Sequence, residues 1–483
     1  HRATMNRYAT MWAALCVAPM LGAQVPFDLD TTFRSAVLYR NVNSVAAMPD
    51  GKLLISGRLN FPWESGEWSL ARLNPDGSRD LSWNFGVPAG GKLTRWGNAY
   101  YVGTAALVRR LTADGYTDPS FIHMNNGPYF SSGQGGDYHV FPDGRVLMTG
   151  LHSLEDTIRG YTGLHSLIWF SNTGYLDTTQ HHRKSNNAIY TLAVEPDGQL
   201  LVSGIYSTYE GQPAPCILRL HADGERDTTF NVPLIWGLAD GITPLSGERV
   251  LASGKFLAAG SADTLQLIRL LPDGSLDPAF HNSLDAPWDL FGAGASLWHT
   301  LLPGGRIVLH GNFSEVDGED RSGIALLDSN GVLLNDAFAG DGCGVYNDVF
   351  APLHATLGMV PDQNGNWYIY GAYIGYDDGT TNDPQQRFVS RLYGLDVGVR
   401  EAEEPVQLEV YPNPAHTSTT LRWATAGSMQ LRLFDATGRE VHRSAHQGTE
   451  AVLDLAGLPA GPYLIHLTDR THRAWSRMLI VEP

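Results

Sequence analysis

Four tryptophans, three of them in the long, irregular segments of the chain, have the side chains best suited to binding. They are Trp63, Trp68, Trp236 and Trp288. An indole ring on a loop offers a broad apolar face that can stack on a sugar or contact a protein partner. Tryptophan is also commonly packed against the domain beneath it, and the sequence leaves that alternative open. We predict these four residues as the ligand-binding set.

Two loops carry clusters of carboxylates that raise the question of a Ca²⁺ site. Calcium takes six or more oxygen ligands, but neither loop has the D-x-[DN]-x-[DN]-G spacing followed by Glu. We therefore predict solvated loop carboxylates and no metal or other cofactor. The residues concerned are Asp317, Glu319, Asp320, Asp377, Asp378 and Asp383.

One aspartate recurs along the chain at equivalent positions, which suggests a ring of catalytic acids. An acid at the same place in every repeat is more simply explained as a cap of the local turn. His181 and His182 are adjacent and would point to opposite faces of a strand. The sequence has no H-E-x-x-H, G-x-S-x-G or phosphate-binding glycine loop, so no catalytic residue is predicted. The repeated acids are Asp30, Asp80, Asp118, Asp177, Asp227 and Asp277.

The repeated unit is best seen in residues 267–280, LIRLLPDGSLDPAF. It reads as a short apolar strand, a Pro-Asp-Gly turn, a second short strand, and an Asp three residues before an aromatic. An earlier half of each repeat ends on a glycine after another short strand. These glycines recur 46 to 60 residues apart (Gly57 to Gly103, Gly311 to Gly371): Gly57, Gly103, Gly150, Gly204, Gly254, Gly311 and Gly371.

Seven copies of about fifty residues, each with four short strands, predict a seven-bladed β-propeller over residues 25–396. A stacked β-solenoid is the competing fold, although it normally has a shorter period. The last copy, 388–396, lacks its Asp-x-x-Phe tail, whereas residues 27–33 contain an isolated one, Asp30 to Phe33. We expect the N-terminal segment to complete the last blade, because that pairing removes two exposed sheet edges.

Because successive strands of a blade run in opposite directions, the strand count determines the end of the propeller at which each loop lies. Both Pro-Asp-Gly turns of a repeat fall at one end of the propeller and the long connections at the other. Loops of variable length on one face of a rigid scaffold are where function is usually built. We therefore expect any ligand on the long-loop face. The long segments are 58–69, 151–165, 281–294, 312–323, 339–352 and 372–387.

The repeats resemble the delta-60 repeat family of bacterial exported proteins over about 27–396. The resemblance rests on the recurring Pro-Asp-Gly strand and Asp-x-x-Phe tail, and it weakens at Trp96-Gly97-Asn98 and at Gln180. It implies a propeller and brings no established chemistry.

Charge and the N-terminus limit the partners and the location. With 33 Lys and Arg against 50 Asp and Glu, the net charge is −17, which argues against nucleic acid or an anionic membrane as partner. Residues 1–24 are predicted to be a secretory signal peptide, and no later stretch is apolar enough to span a membrane. Cys216 and Cys343 fall in different repeats and are predicted to be free.

A separate module follows a predicted linker, 397–406. Residues 407–483 contain about seven short apolar segments, which predict a small immunoglobulin-like β-sandwich. The order YPNP (411–414), LFDATGREV (433–441), L-x-x-L-P-x-G-x-Y (455–463) and a terminal strand resembles the type A sorting domain of type IX secretion substrates. The resemblance implies the secretion machinery as partner and delivery to the cell surface or medium. An ordinary accessory sandwich is the alternative.

The sequence therefore favours an exported propeller that acts by binding a glycan or protein. A secreted polysaccharide hydrolase or lyase remains the alternative, because propeller enzymes gather their residues from separate blades. A stable spacer is a third possibility.

Overall fold

The structure is a computed structural model in which two compact units, residues 1–398 and 399–483, are distinguished. It describes residues 27–83, 86–104, 106–122, 124, 129–287, 296–347, 352–353, 355–393, 408–435, 439–469 and 474–482. The predicted signal peptide, Trp288 and the predicted linker lie outside these residues. Apart from one 3₁₀ turn at Ser246–Glu248, the regular structure of the described ranges is β-strand.

The first unit consists of seven small antiparallel sheets, the blades, in chain order. Each blade has three principal strands. Their bounds are Tyr39–Ala47, Leu53–Asn60 and Trp68–Leu73 in blade 1; Leu93–Trp96, Ala99–Gly103 and Val108–Leu111 in blade 2; Phe130–Val140, Val146–Asp156 and Tyr161–Phe170 in blade 3; Ile189–Val194, Leu200–Gly204 and Ile217–Leu220 in blade 4; Leu234–Pro244, Val250–Ala258 and Thr264–Leu270 in blade 5; Leu297–Leu301, Ile307–Gly311 and Ile324–Leu327 in blade 6; and Ala355–Pro361, Trp367–Asp377 and Asn382–Tyr393 in blade 7.

Additional two-residue strands occur in the connections between the principal strands. They are Thr208–Tyr209 with Gln212–Pro213, Glu315–Val316 with Glu319–Asp320, Tyr346–Asn347 with Pro352–Leu353, and Gly342–Cys343, which pairs with the second strand of blade 7.

The first strands of the blades surround the centre. The first strand of blade 1 contacts the first strands of blade 2 and of blade 7, so the sheets form a closed ring. Apolar side chains from facing sheets fill the space between blades; Leu201 of blade 4, for example, joins a core with Val250 and Ile268 of blade 5. The seven-bladed propeller is confirmed.

The N-terminal segment closes the ring as predicted. Strand Asp28–Leu29 pairs antiparallel with the last strand of blade 7, with Leu29 opposite Leu392. The Asp30 amide donates to the Arg391 carbonyl at 2.9 Å. Burial of Phe33 against Tyr368 anchors the segment on blade 7.

The fourth strand of each blade is shorter than the repeat predicted. In blade 5 it is reduced to one bridge between Leu270 and Leu276, after which the Asp277 amide donates to the Arg269 carbonyl. The Asp277 carboxylate then accepts the Ala279 amide. This local cap turns the chain out of the sheet, so the predicted turn-capping role of the repeated Asp is confirmed.

The same Asp also pairs with an arginine that the repeat places at the end of the third strand. Nε of the arginine lies 2.7 Å from the carboxylate in four blades. The pairs are Arg72–Asp80, Arg110–Asp118, Arg219–Asp227 and Arg269–Asp277, and Arg391–Asp30 repeats the pair at the ring closure.

The arginine also joins its blade to the next. Arg269 lies 4.8 Å over the Phe280 ring and donates to the Ser329 carbonyl of blade 6 at 2.8 Å. At the closure, Arg391 donates to the Pro75 carbonyl of blade 1 at 3.1 Å. The joint between blades 7 and 1 therefore has the same chemistry as the joints within the ring.

The second unit is an all-β domain with one core. Its strands are Glu409–Tyr411, Ser418–Phe434, Glu440–Asp454, Gly461–Asp469 and Ala474–Val481. The seven predicted segments thus become five described strands, because two of them are long and continue through a bend near Arg422–Gly427. Buried residues from four of these strands, and the partly buried Val410 of the first, share one apolar cluster, as an immunoglobulin-like sandwich requires. The Asp435 amide donates to the Arg439 carbonyl and closes the predicted hairpin turn.

The closing pair provides a test of the ring. Asp30→Asn keeps an acceptor for the turn but removes the charge facing Arg391, and we expect a loss of roughly 3 kcal/mol in unfolding free energy. Hydrogen exchange should accelerate in residues 382–393, because this strand loses its neighbour.

Asp118→Asn is the matched control, since it breaks the same pair inside the ring. It should destabilise the protein without exposing 382–393. Equal protection of this strand in both variants would contradict closure by the N-terminal segment.

Candidate functional site

The long connections gather at one end of the propeller, as strand parity predicted. In blade 1 the turns at Gly51 and Gly77 lie at one end, whereas residues 61–67 between the second and third strands lie at the other. The first strands begin at this long-loop face and run away from it. Their first residues therefore surround the mouth of the central channel.

The recurring glycine shapes this mouth. In blade 5 the pairing of the first two strands shifts between Ala239 and Gly241, opposite Gly254, so that Asp240 is the extra residue of a β-bulge. A Cβ on Gly254 would lie 2.2 Å from the Leu238 carbonyl oxygen, and its φ is +151°. The bulge requires glycine here for both reasons. Gly57, Gly204 and Gly371 face the same kind of shift.

Two clefts open at the mouth and adjoin at Ser296. The first, which we name the Trp236 cleft, has a volume of about 440 Å³ and is lined by blades 4, 5 and 6. Three apolar side chains on its rim are half or more exposed: Ile205 at 50%, Ile235 at 66% and Trp236 at 56%. Large apolar side chains exposed together mark interaction surfaces.

One carboxylate lies in the Trp236 cleft. Asp240 accepts a hydrogen bond from the Leu297 amide at 3.0 Å, and burial raises its pKa to about 6. Lys255 lines the same cleft, and no ion pair joins it to Asp240 among the described contacts. At neutral pH the cleft therefore carries one poorly solvated negative charge.

The second cleft, named the Arg40 cleft, has a volume of about 280 Å³ between blades 6, 7 and 1. Arg40, Arg58 and Asn312 supply its polar groups, and Trp298 and Tyr346 supply aromatic faces. Within the residues that the structure describes, neither cleft contains the pair of carboxylates that acid–base chemistry on a glycosidic bond would use.

The four predicted tryptophans are separated by the structure. Trp236 lines a cleft at the mouth, while Trp63 stands fully exposed on a blade 1 loop and lines neither cleft. Trp68 is partly buried, with the Arg79 guanidinium 5.6 Å over its ring. Trp288 lies outside the described residues. The structure therefore brings one of these four to the mouth.

The predicted solvated carboxylates divide into two groups. Glu319 and Asp320 are exposed, but Asp378 and Asp383 are 5% and 8% exposed, so the prediction is wrong for these two. Asp378 accepts the Leu29 amide at 2.9 Å and Asp383 pairs with Arg34 at 2.8 Å. Both hold the N-terminal closing segment.

The remaining acids of these loops also serve local structure. Asp377 accepts from the Gly379 amide, and Asp317 accepts from the Asp285 amide and contacts His281. No group of three or more potential metal-ligating side chains occurs within the described ranges.

The histidine pair and the cysteines are part of the packed structure. His182 is buried and His181 exposed, on opposite sides as predicted although in an irregular segment. Burial lowers the pKa of His182 to about 4. Cys216 and Cys343 are buried and free, as predicted.

Arg40, Asp240, Trp298 and Asn312 at the mouth were not predicted as site residues. A signal for such positions exists in the repeat, because the residue that directly follows the recurring glycine lines one of the two clefts in five of the seven blades. These residues are Arg58, Ile205, Lys255, Asn312 and Ala372. Their chemistry varies from blade to blade beside a constant glycine, as expected of a binding surface on a repeated scaffold.

Comparison with known families identifies both units. Residues 409–482 match the family described as a secretion system C-terminal sorting domain. Residues 49–82, 195–230, 249–280 and 302–333 match a domain of unknown function, DUF5122, that forms β-propellers. The propeller therefore contains four DUF5122-type repeats, and residues 409–482 form a secretion system C-terminal sorting domain. The sorting domain marks the propeller for type IX secretion to the cell surface or the medium.

Individual relatives resemble the propeller protein over limited lengths or at low identity. An endo-acting ulvan lyase of Formosa agariphila is 32% identical over 76 residues, which span 16% of this chain and 15% of the lyase. PorZ, a surface component of the type IX secretion system of Porphyromonas gingivalis, is 12% identical with a TM-score of 0.34, over 93% of this chain and 60% of PorZ. A chain from the Saccharomyces cerevisiae Dbp5, Nup159 and Gle1 structure is 11% identical with a TM-score of 0.41, over 77% and 91%.

The propeller protein shows no helix with the length and apolar character needed to cross a membrane within its described part.

The partly buried Asp240 gives a testable pH dependence. The pKa of Asp240 is raised to about 6 in the folded protein, so the fold favours the protonated side chain. Protonated Asp240 contributes its full stability below the usual aspartate pKa near 4, and this contribution is lost as pH rises through 6. We expect Asp240→Asn, which retains an acceptor for Leu297, to raise the unfolding free energy by about 2 kcal/mol at pH 7.5. Denaturant melts at pH 7.5 and pH 4 would measure this.

The gain should disappear at pH 4, where the wild-type side chain is protonated in the fold. Asp50→Asn, on an exposed turn of blade 1, is the control. A gain that is independent of pH would contradict the proposed charge burial.

Proposed function

We propose that the propeller acts as an exported binding module whose ligand docks at the long-loop mouth, in the Trp236 cleft. The observation that carries this proposal is the coincidence of an open cleft with three exposed apolar side chains, Ile205, Ile235 and Trp236, on the variable face. Each exposed apolar group favours a partner that covers it. The ligand class is an extracellular glycan or protein.

The rigidity of the surrounding strands supports binding over passive spacing. Ser203 Oγ accepts the Ala239 amide across the joint of blades 4 and 5 at 2.9 Å, and Ser253 Oγ donates to the Leu297 carbonyl across the next joint at 2.8 Å. These bonds fix the backbone on both sides of Asp240 and Trp236. A preorganised cleft loses little conformational entropy when a ligand enters it.

A secreted polysaccharide lyase or hydrolase is the second candidate. The local similarity to an endo-acting ulvan lyase favours it, although that match spans 15% of the lyase. Against it, the two clefts hold one carboxylate, Asp240, among their described lining residues. Incubation of the exported chain with polysaccharides, followed by measurement of new reducing ends and of unsaturated products, distinguishes the candidates. Cleavage by the wild-type chain that is lost in Asp240→Asn would establish the enzyme.

Removal of the exposed indole tests the binding proposal. We expect Trp236→Ala to weaken binding of array-selected glycans or surface proteins at least tenfold, equivalent to 1.4 kcal/mol. Trp63→Ala should have little effect, since Trp63 is more exposed than Trp236 but lines neither cleft. Glycan-array screening followed by calorimetric titration provides the affinities. Unchanged binding in Trp236→Ala would place the ligand elsewhere.

A further inference from the structure

The Arg40 cleft contains a guanidinium held in an uncommon backbone conformation. Arg40 has a φ of +82°, a region that non-glycine residues seldom occupy and that is concentrated at binding sites. Its amide donates to Tyr346 Oη at 3.2 Å across the joint between blades 1 and 7. The conformation therefore places Arg40 at the lip of the cleft, fixed from the neighbouring blade.

The charge of Arg40 is weakly matched inside the protein. Glu67 is bound by Arg58 through two hydrogen bonds of 3.1 Å. Arg40 reaches the same carboxylate at 3.6 Å through Nε, which is too long for a hydrogen bond. A planar guanidinium suits a carboxylate presented by a ligand.

A second group in the cleft also needs a partner. Asn312 is 6% exposed, and its Oδ1 atom has no hydrogen-bond partner. A buried acceptor without a hydrogen-bond partner is costly. Asn312 and Trp298 both line the cleft, so rotation of the buried Asn312 amide toward a ligand would let a ligand hydroxyl satisfy the acceptor while a ring face packs on the indole.

We propose that the Arg40 cleft is a subsite for one acidic sugar unit, its carboxylate on Arg40, a hydroxyl on Asn312 and its ring face on Trp298. This proposal rests on the proposed binding function and names the ligand class. At about 280 Å³ the cleft is at the lower end of ligand pockets and suits one ring. The neighbouring Trp236 cleft would receive the adjoining, less polar part of the same ligand.

The net charge of the chain restricts the ligand further. With −17 overall, the protein repels a dense polyanion at long range. The subsite therefore fits a glycan with isolated carboxylates among neutral sugars.

The test uses the full exported chain and two matched probes, a glucuronate-containing oligosaccharide and its neutral glucose counterpart. We expect the acidic probe to bind more tightly, and Arg40→Gln to remove that preference by weakening the acidic probe about tenfold while leaving the neutral probe unchanged. Arg95→Gln is the control, because Arg95 is an exposed arginine at the opposite end of a first strand, bonded to the Gly97 carbonyl. Thermal melts of both variants confirm folding.

The outcomes separate the two proposals. Equal binding of both probes, sensitive to Trp236→Ala and insensitive to Arg40→Gln, overturns the acidic subsite and keeps the binding function. An acidic peptide that displaces the uronate probe at equal concentration overturns the assignment to a sugar. If neither probe binds, the acidic subsite is overturned. If, in addition, Trp236→Ala changes the binding of no array ligand or surface protein, the proposed binding function is overturned as well.

Discussion

The ring depends on an arginine that bonds to two blades at once. Its guanidinium neutralises the Asp that ends its own blade, covers that blade's terminal aromatic ring, and in three joints also donates to a turn carbonyl of the following blade. A guanidinium is suited to this role because its planar donors point in several directions and its charge persists at any physiological pH. The glycine of the receiving turn leaves room for the aromatic: a Cβ at Gly331 would lie 2.6 Å from the Phe280 ring.

Two blades lack this arginine, and in one of them another arginine donates to the next blade. In blade 3 Trp169 occupies the position, and Arg183 instead donates to the Asp223 carbonyl of blade 4 at 3.1 Å. In blade 6 Leu326 occupies it, and Arg321 binds the carbonyl of Phe338, the terminal aromatic residue of the same blade, at 3.0 Å. The fold therefore requires an arginine side chain beside the terminal segment of each blade, and more than one position in the repeat can supply this arginine.

The same geometry explains why the mouth is a suitable place for a ligand. The arginine contacts hold neighbouring blades together at their outer edges, and serine hydroxyls hydrogen-bond the inner strands of neighbouring blades. The bulges opposite the recurring glycines therefore present their side chains from a rigid backbone. Variation at the residues after those glycines changes the chemistry of the mouth without disturbing the joints. Arg58, Ile205 and Asn312 are examples. Export by the sorting domain then brings this face into contact with the extracellular medium.

The sequence by itself determined the repeat, the number of blades and the closure by residues 27–33, whereas the address of the second unit was implied by its resemblance to a family of sorting domains. These follow from local patterns, because turn chemistry, strand alternation and the displaced Asp30–Phe33 tail are legible within short windows. The sequence also located the long-loop face, because counting the strands of each repeat determines the end of the propeller at which each connection lies.

Tertiary structure alone decided which side chains meet. Ser296 of blade 6 borders both clefts, and Asn312, Trp298 and Arg40 converge from positions more than 250 residues apart (Arg40 to Trp298). The repeat could not reveal this, because the register of bulges and the approach of blades 7 and 1 are non-local. For the same reason Asp378 and Asp383 read as loop carboxylates but are buried against the N-terminal segment. Sequence patterns within short windows determine the strands and turns, whereas contacts between distant segments around the ring determine which side chains form the site.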